Sequence, residues 1–140
     1  MKIFGRRRPA PPAEVGEGFW VTEAPALQQG IRSALTAGET ARQTAPAELH
    51  IEQGREERLV VLWRNFIVGF VPESHLPALR RQLADHPRLT IRGAAHRSGR
   101  EWRIWAGPPW PVSPPPYPQP TIQPAPAAIF GVQLRSLGGD

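Results

Sequence analysis

The sequence contains no cysteine. That absence excludes disulfide scaffolds, thiolate zinc sites and cysteine nucleophiles together, and it fits a reducing cytoplasm. No apolar run approaches the ~20 residues needed to cross a bilayer, and the opening MKIFGRRRP lacks the apolar stretch that follows the basic end of a secretory signal. A soluble, cytoplasmic chain without a leader peptide or membrane span is therefore expected. Lysine is almost missing as well: Lys2 is the only one among 17 basic residues. Arginine in place of lysine, with abundant Ala, Gly and Pro, is what a GC-rich bacterial genome writes, so the number of arginines does not by itself indicate phosphate binding. Their placement says more. The net charge of +5 resides in residues 1–18 and 47–107, while 19–46 and 108–140 are each balanced, which places any anion-binding property on those two stretches.

Signs of catalysis are also lacking. His50, His75, His86 and His96 are too far apart in sequence to form a ligand pair of the His-x-x-x-His kind, so no metal site is expected. There is no Gly-x-Ser-x-Gly elbow, phosphate-cradling glycine loop or dinucleotide fingerprint. Glu56, Glu57 and Glu101 are acidic candidates, but adjacent glutamates on a strand leave it on opposite faces. No enzymatic activity, cofactor or small-molecule substrate is expected.

What is present is a strand-rich module over residues 47–107. ELHIEQ alternates Leu49 and Ile51 with polar neighbours, the period of a strand with one buried face. Leu59 to Trp63 is apolar on both sides and belongs inside a sheet. FIVGFV follows after only Arg64-Asn65, the spacing of a hairpin, and Gly69 within it marks a bulge or a close backbone approach. Pro72 ends that strand, Ser74 is placed to cap, and Leu76, Leu79 and Leu83 share one side of a helix that Pro87 stops. RLTIRGA (88–94), a loop AHRSGR and EWRIWAG (101–107) form a last hairpin. Before the module, residues 1–18 are expected to be a flexible basic leader. Residues 19–46 supply a short strand at Phe19-Trp20-Val21 and a helix that starts after a Thr22 cap, buries Leu27, Ile31, Ala34 and Leu35, and stops at Gly38. Residues 39–46 then read as a connection. The fold class expected is α+β: a small barrel in β-β-β-α-β-β order, an N-terminal helix packed on it and an extended proline-rich tail.

The order of elements in 47–107, and especially the stretch LVVLWRNFIVGFVPESHLPALRRQL, resembles the small β-barrel module called HIRAN and its bacterial stand-alone relatives, whose pattern is an apolar strand, a turn, a strand ending in Val-Gly-Tyr-Leu-Pro, and a helix. Val68-Gly69-Phe70-Val71-Pro72 occupies the signature, and Leu76 to Leu83 the helix. The chain departs from the pattern at GREE (54–57), where the family has an Asn-Pro loop, and at Arg64-Asn65, where it favours Asp-Gly. The resemblance implies an SH3-like or OB-like barrel. In helicase-associated relatives such barrels bind free ends of single-stranded DNA; with the loop altered, the fold carries over and the DNA-end pocket does not.

Alternation places Leu89, Ile91, Trp102 and Ile104 in the core and Arg88, Thr90, Arg92, Arg103 and Trp105 on the opposite face of the last hairpin. With Arg97 and Arg100 near its tip, this hairpin is the candidate nucleic-acid surface, because guanidinium groups neutralise phosphates and an exposed indole stacks bases. The alternatives are an ordinary solvated face, or a Trp105 covered by the N-terminal helix or the proline segment.

Residues 108–126 (PPWPVSPPPYPQPTIQPAP) read as a largely polyproline II linker. Pro114-Pro115-Pro116-Tyr117 fits the Pro-Pro-x-Tyr pattern read by WW domains, readers not expected in bacteria. Trp110 and Tyr117 are alternatively expected to dock back on the module. Residues 127–140 regain apolar side chains, and Phe130, Val132, Leu134 and Leu137 are expected to form a peptide that docks on a protein partner, or else an edge strand of the module. Gln133-Leu134-Arg135-Ser136-Leu137 partly resembles the Gln-Leu-x-Leu-Phe peptide that docks on the bacterial sliding clamp. Two function classes follow: a non-catalytic single-stranded nucleic-acid binder, and an adaptor or assembly subunit acting through the proline arm and the apolar end.

Overall fold

The computed structural model describes residues 10–110 and 115–117. Its strands are β1 (Phe19–Trp20), β2 (Thr44–Gln53), β3 (Leu59–Trp63), β4 (Phe66–Phe70), β5 (Leu89–Ser98) and β6 (Glu101–Ala106). A 3-10 turn (Ala24–Leu27) leads into helix α1 (Gln28–Ala34), α2 (Ala37–Thr40) follows, and α3 (Leu76–Leu83) joins β4 to β5. The strands form one antiparallel sheet in the order β1-β6-β5-β2-β3-β4. The expected α+β class and small barrel-like architecture are what is observed. Among the described residues no helix is long and apolar enough to cross a membrane.

The sheet curls because one short segment touches both of its ends. Phe19 and Trp20 pair with Ala106 and Trp105 on β6, and Val21 N–H donates to the Ile104 carbonyl at 2.9 Å. One residue later the chain pairs with the opposite end of the sheet. Thr22 N–H donates to the Phe70 carbonyl at 2.9 Å, and Phe70 N–H donates back to Thr22 at 3.1 Å. Strand alternation sends Phe19 and Val21 inward, where they join Leu49, Ile51, Leu59, Val61, Trp63, Val68, Leu89, Ile91, Trp102 and Ile104 in a single core. Ile31 and Ala34 of α1 and Leu79 and Leu83 of α3 complete it. Residues 19–46 therefore share the core of the strands that follow.

Gly69 makes the seam possible. Opposite it the register slips, with Gly69 facing Val61 and Ile67 facing Leu62, so that buried Val68 is the extra residue of a bulge. Gly69 has a φ of 157°, and a Cβ there would lie 2.0 Å from Val21 Cγ1 and 2.6 Å from the Thr22 carbonyl oxygen. Both expected uses of this glycine, a bulge and a close backbone approach, are present at once.

The β3–β4 hairpin turns through Arg64 and Asn65 at φ 51° and 72°, the positive pair that matches the twist of two antiparallel strands. Arg64 is a costly residue for that conformation. Its guanidinium is held by the Ala34 carbonyl at 2.7 Å and by both Glu39 carboxylate oxygens at 2.7 and 2.9 Å. Glu39 in turn closes a capping box with Thr36. The Arg64 hydrogen bond first, then the Thr36–Glu39 cap, hold the Glu39 carboxyl down from its ordinary 4.5 to about 2.

Several expected boundaries differ. The helix does not begin at a Thr22 cap, because Thr22 is spent in the seam and Glu23 is left-handed at φ 65° with no side-chain cap. It ends at Ala34, and Gly38 lies inside α2 instead of stopping a helix. The connection expected over 39–46 holds the end of α2 and the start of β2, since Thr44 to Ala47 pair with Gly93 to His96. Ser74 lies in a 3-10 turn before α3 and caps nothing there. The loop expected over 95–100 is mostly strand: pairing runs to Ser98 and Glu101, leaving only Gly99-Arg100. Nor is the leader detached up to Gly18. Pro11 and Ala13 bond with Thr90 in a parallel bridge, at 2.9 and 2.8 Å, on the β5 edge that β6 does not reach.

Gly69→Ala is expected to cost more than about 2 kcal/mol in urea unfolding, since it overpacks the seam and strains φ. Gly38→Ala, with nothing within 4 Å, should instead stabilise by about 0.5 kcal/mol. Because the Glu39 pKa is depressed on folding, its contribution is complete above 4.5 and fades as pH falls toward about 2. Glu39→Gln should flatten that part of the stability profile.

Candidate binding groove on the outer face of the sheet

Trp20 and Trp105 are register partners on β1 and β6, and both point away from the core. Alternation assigned that orientation to Trp105, but the indole expected to be exposed is only 5% accessible, and Trp20 7%. The cover is the proline-rich segment. Trp110 lies 6.0 Å from Trp20 and 5.9 Å from Trp105 between ring centroids. Tyr117 meets the Trp20 ring at 5.4 Å, near edge to face. The two indole N–H groups also find partners in this segment: Trp20 Nε1 donates to the Pro115 carbonyl at 3.1 Å and Trp105 Nε1 to the Pro108 carbonyl at 2.9 Å. Of the expectations for Trp105, cover by the proline segment is the one found.

The floor and rim of this groove come from neighbouring strands. Ala94, the β5 partner of Trp105, leaves room beneath the indoles. His96 and Arg103 are partners one step nearer the hairpin tip. The His96 ring contacts Trp110 at 5.7 Å, and its Nδ1 shares a 2.8 Å hydrogen bond with the Thr44 hydroxyl. Burial, then the Arg103 charge, lower the His96 pKa from its ordinary 6.5. The Arg103 guanidinium lies 3.9 Å from the centroid of the Tyr117 ring, a cation–π distance. Burial raises the Tyr117 pKa above its ordinary 10.0, with Glu101 adding to the rise and Arg103 opposing it.

The other arginines of the hairpin do not converge on this groove. Arg88 pairs with Glu52 across to β2. Arg97 is on the opposite side of the strand from Arg103, 5.6 Å over the Trp102 ring, and donates to the Thr40 carbonyl at 3.2 Å. Arg100 is exposed in the turn. Arg92 is exposed beside an adjoining cleft of about 470 Å³ lined also by Glu48, Thr90, Gly107, Pro108 and residues 12–16. The expected single cationic face is thus divided, because Arg97 falls one residue out of phase with Arg92 and because Glu52 stands across from Arg88.

Sequence reading missed Trp20 and Thr44 as site residues. Trp20 had a legible signal, since it alternates with Phe19 and Val21 in a strand; Thr44 had none, lying in a stretch without apolar periodicity. Phe130, Val132, Leu134 and Leu137 lie outside the described residues. Among those residues, no group of three or more His, Asp or Glu side chains could hold a metal ion.

The depressed His96 pKa makes the neutral imidazole the form favoured on folding. Its contribution is complete above 6.5 and lost as pH falls through the lowered value. His50 and His75 are lowered by burial in the same direction. Urea midpoints should therefore fall between pH 7.5 and 5, and His96→Gln should make that fall shallower.

No family model matches the chain, and neither the curated proteins nor the solved structures return a match.

Proposed function

We propose that the protein is a non-catalytic interaction module whose outer groove binds extended, proline-rich peptide. One observation carries this: Trp20 Nε1–H donates to the Pro115 carbonyl while Pro115–Tyr117 lies across the groove. A polyproline helix has no internal hydrogen bonds, so its carbonyls are free to accept from outside. Its stiffness lowers the entropy lost on docking, and an aromatic-lined groove with an indole donor is suited to it. The proline segment of this chain is then the occupant in the resting protein, and a partner's segment takes its place. This is the adaptor class of reading, with the proline arm meeting the module's own surface. The proposed likeness of 47–107 to HIRAN modules bears on the barrel fold alone.

A second reading, single-stranded nucleic acid on the same hairpin, is favoured by Arg92 and Arg100, both exposed and without an ion pair among the described residues. It requires the segment to lift away, since the stacking surface of Trp105 is covered.

A fluorescent Pro-Pro-Pro-Tyr-Pro peptide titrated into the full chain carrying Tyr117→Ala, which weakens the resident segment, should bind saturably. Trp20→Phe keeps the ring and removes one donor, so affinity should fall about fivefold, the worth of one net hydrogen bond. Absence of peptide binding, together with salt-sensitive binding of an oligonucleotide lost in Arg92→Ala/Arg100→Ala, would select the second reading.

A further inference from the structure

We infer that Arg103 is a specificity-determining residue of the groove, selecting proline-rich ligands that carry an aromatic ring two residues after the proline whose carbonyl is bound by Trp20. The inference rests on the groove reading above and names the ligand class.

The groove has two unlike ends. At one, the indoles of Trp20 and Trp105 offer N–H donors to the Pro115 and Pro108 carbonyls. Such bonds recognise backbone, which any proline-rich strand presents. At the other end the contact is to a side chain. The Tyr117 ring lies beneath the Arg103 guanidinium at 3.9 Å and against the Trp20 edge at 5.4 Å. A planar cation over a ring is favourable only where a ring is present; proline or an aliphatic residue in that place forfeits the contact. Spacing is set by the chain itself. In an extended strand rising ~3.1 Å per residue, the residue two beyond the hydrogen-bonded proline lies about 6 Å along the groove, and Tyr117 is the second residue after Pro115.

Arg103 is available for this task in a way Arg88 and Arg97 are not. Arg88 pairs with Glu52, and Arg97 is turned to the other side. Arg103 has no carboxylate partner among the described residues, and its Nε is buried with no hydrogen-bond partner among them. Its guanidinium lies over the Tyr117 ring. The Tyr117 hydroxyl is not what is read, since the contact is to the face of the ring; phenylalanine should serve as well.

The test uses the full chain with Tyr117→Ala and three peptides, Pro-Pro-Pro-Tyr-Pro, Pro-Pro-Pro-Phe-Pro and Pro-Pro-Pro-Ala-Pro, read by fluorescence anisotropy. The Tyr and Phe peptides should bind about tenfold more tightly than the Ala peptide. Adding Arg103→Ala should cut the preference for the Tyr and Phe peptides at least about threefold, the remainder being the ring's contact with Trp20, while Trp20→Phe should weaken all three. Equal affinities on the unaltered Arg103 background would overturn the inference and leave the groove reading standing. Binding by none of the peptides would overturn both. A measurement without added peptide guards against a folding defect in the multiple variants. Tyr117 is the only tyrosine, so its ionisation can be followed by ultraviolet absorbance in the otherwise unaltered chain. Arg103→Ala should release the ring and bring its pKa down toward 10. If the ring instead stays docked, removal of the positive charge pushes the pKa further up, and that result would refute the role of Arg103.

Discussion

The structure depends on residues 19–22 serving as the seam of the sheet. A sheet of short strands has two exposed edges, each a row of unpaired backbone groups. Here the same four residues supply partners to both, to β6 through Phe19, Trp20 and Val21 and to β4 through Thr22. The inward side of this segment adds Phe19 and Val21 to the core, and the outward side places Trp20 next to Trp105. Barrel closure and the groove are therefore two faces of one segment. Gly69 is the condition for both, since the backbone of Thr22 and the side chain of Val21 occupy the volume that any other residue would need.

Outside the barrel, burial follows a different logic. Strand alternation normally leaves the outer face to water, yet Trp20 and Trp105 are nearly as buried as the core. Two indoles carry too much apolar surface to leave bare at about 25 cal/mol per Å², and each also has an N–H that must be satisfied once covered. A proline-rich strand answers both needs. It brings rings and pyrrolidines for the apolar surface, and carbonyls with no competing internal hydrogen bonds for the indoles. A segment in the same chain meets these indoles at high effective concentration.

The arginines show why charge count is a poor guide to a site. Arg64 stabilises an unfavourable turn by bridging to Glu39, Arg58 pairs with Glu23 and lies 3.6 Å over the Phe70 ring, and Arg88 is tied to Glu52. These are structural fasteners, each placed where a carboxylate or ring is within reach. Arg103 differs because its described partner is a ring in a segment outside the barrel. For the proposed peptide recognition, what matters is which cation faces the docked segment.

How much was legible varied with the range of the interaction involved. The β3–β4 hairpin, the bulge at Gly69 and the buried faces of β2, β5 and β6 follow from period, turn spacing and a misplaced glycine, all local properties. The Thr36–Glu39 capping box was also written locally, and Gly38 masked it by looking like a stop. The extension of β2 back to Thr44 and of β5 out to Ser98 was not legible, because Thr44-Ala45-Pro46 and AHRS have no apolar rhythm and become strand by pairing with each other and, for AHRS, with β6.

Sequence alone thus determined where the apolar centres of the strands lie, which face of each is apolar, and that 108–126 is unsuited to ordinary helix or interior strand, since these depend on side-chain alternation and on proline's missing N–H. Tertiary structure decided that the 19–22 segment closes the sheet, that Trp105 is covered, and that only Arg103 among the hairpin arginines meets the docked ring. Those outcomes depend on contacts between segments tens of residues apart, whose distances no local pattern encodes.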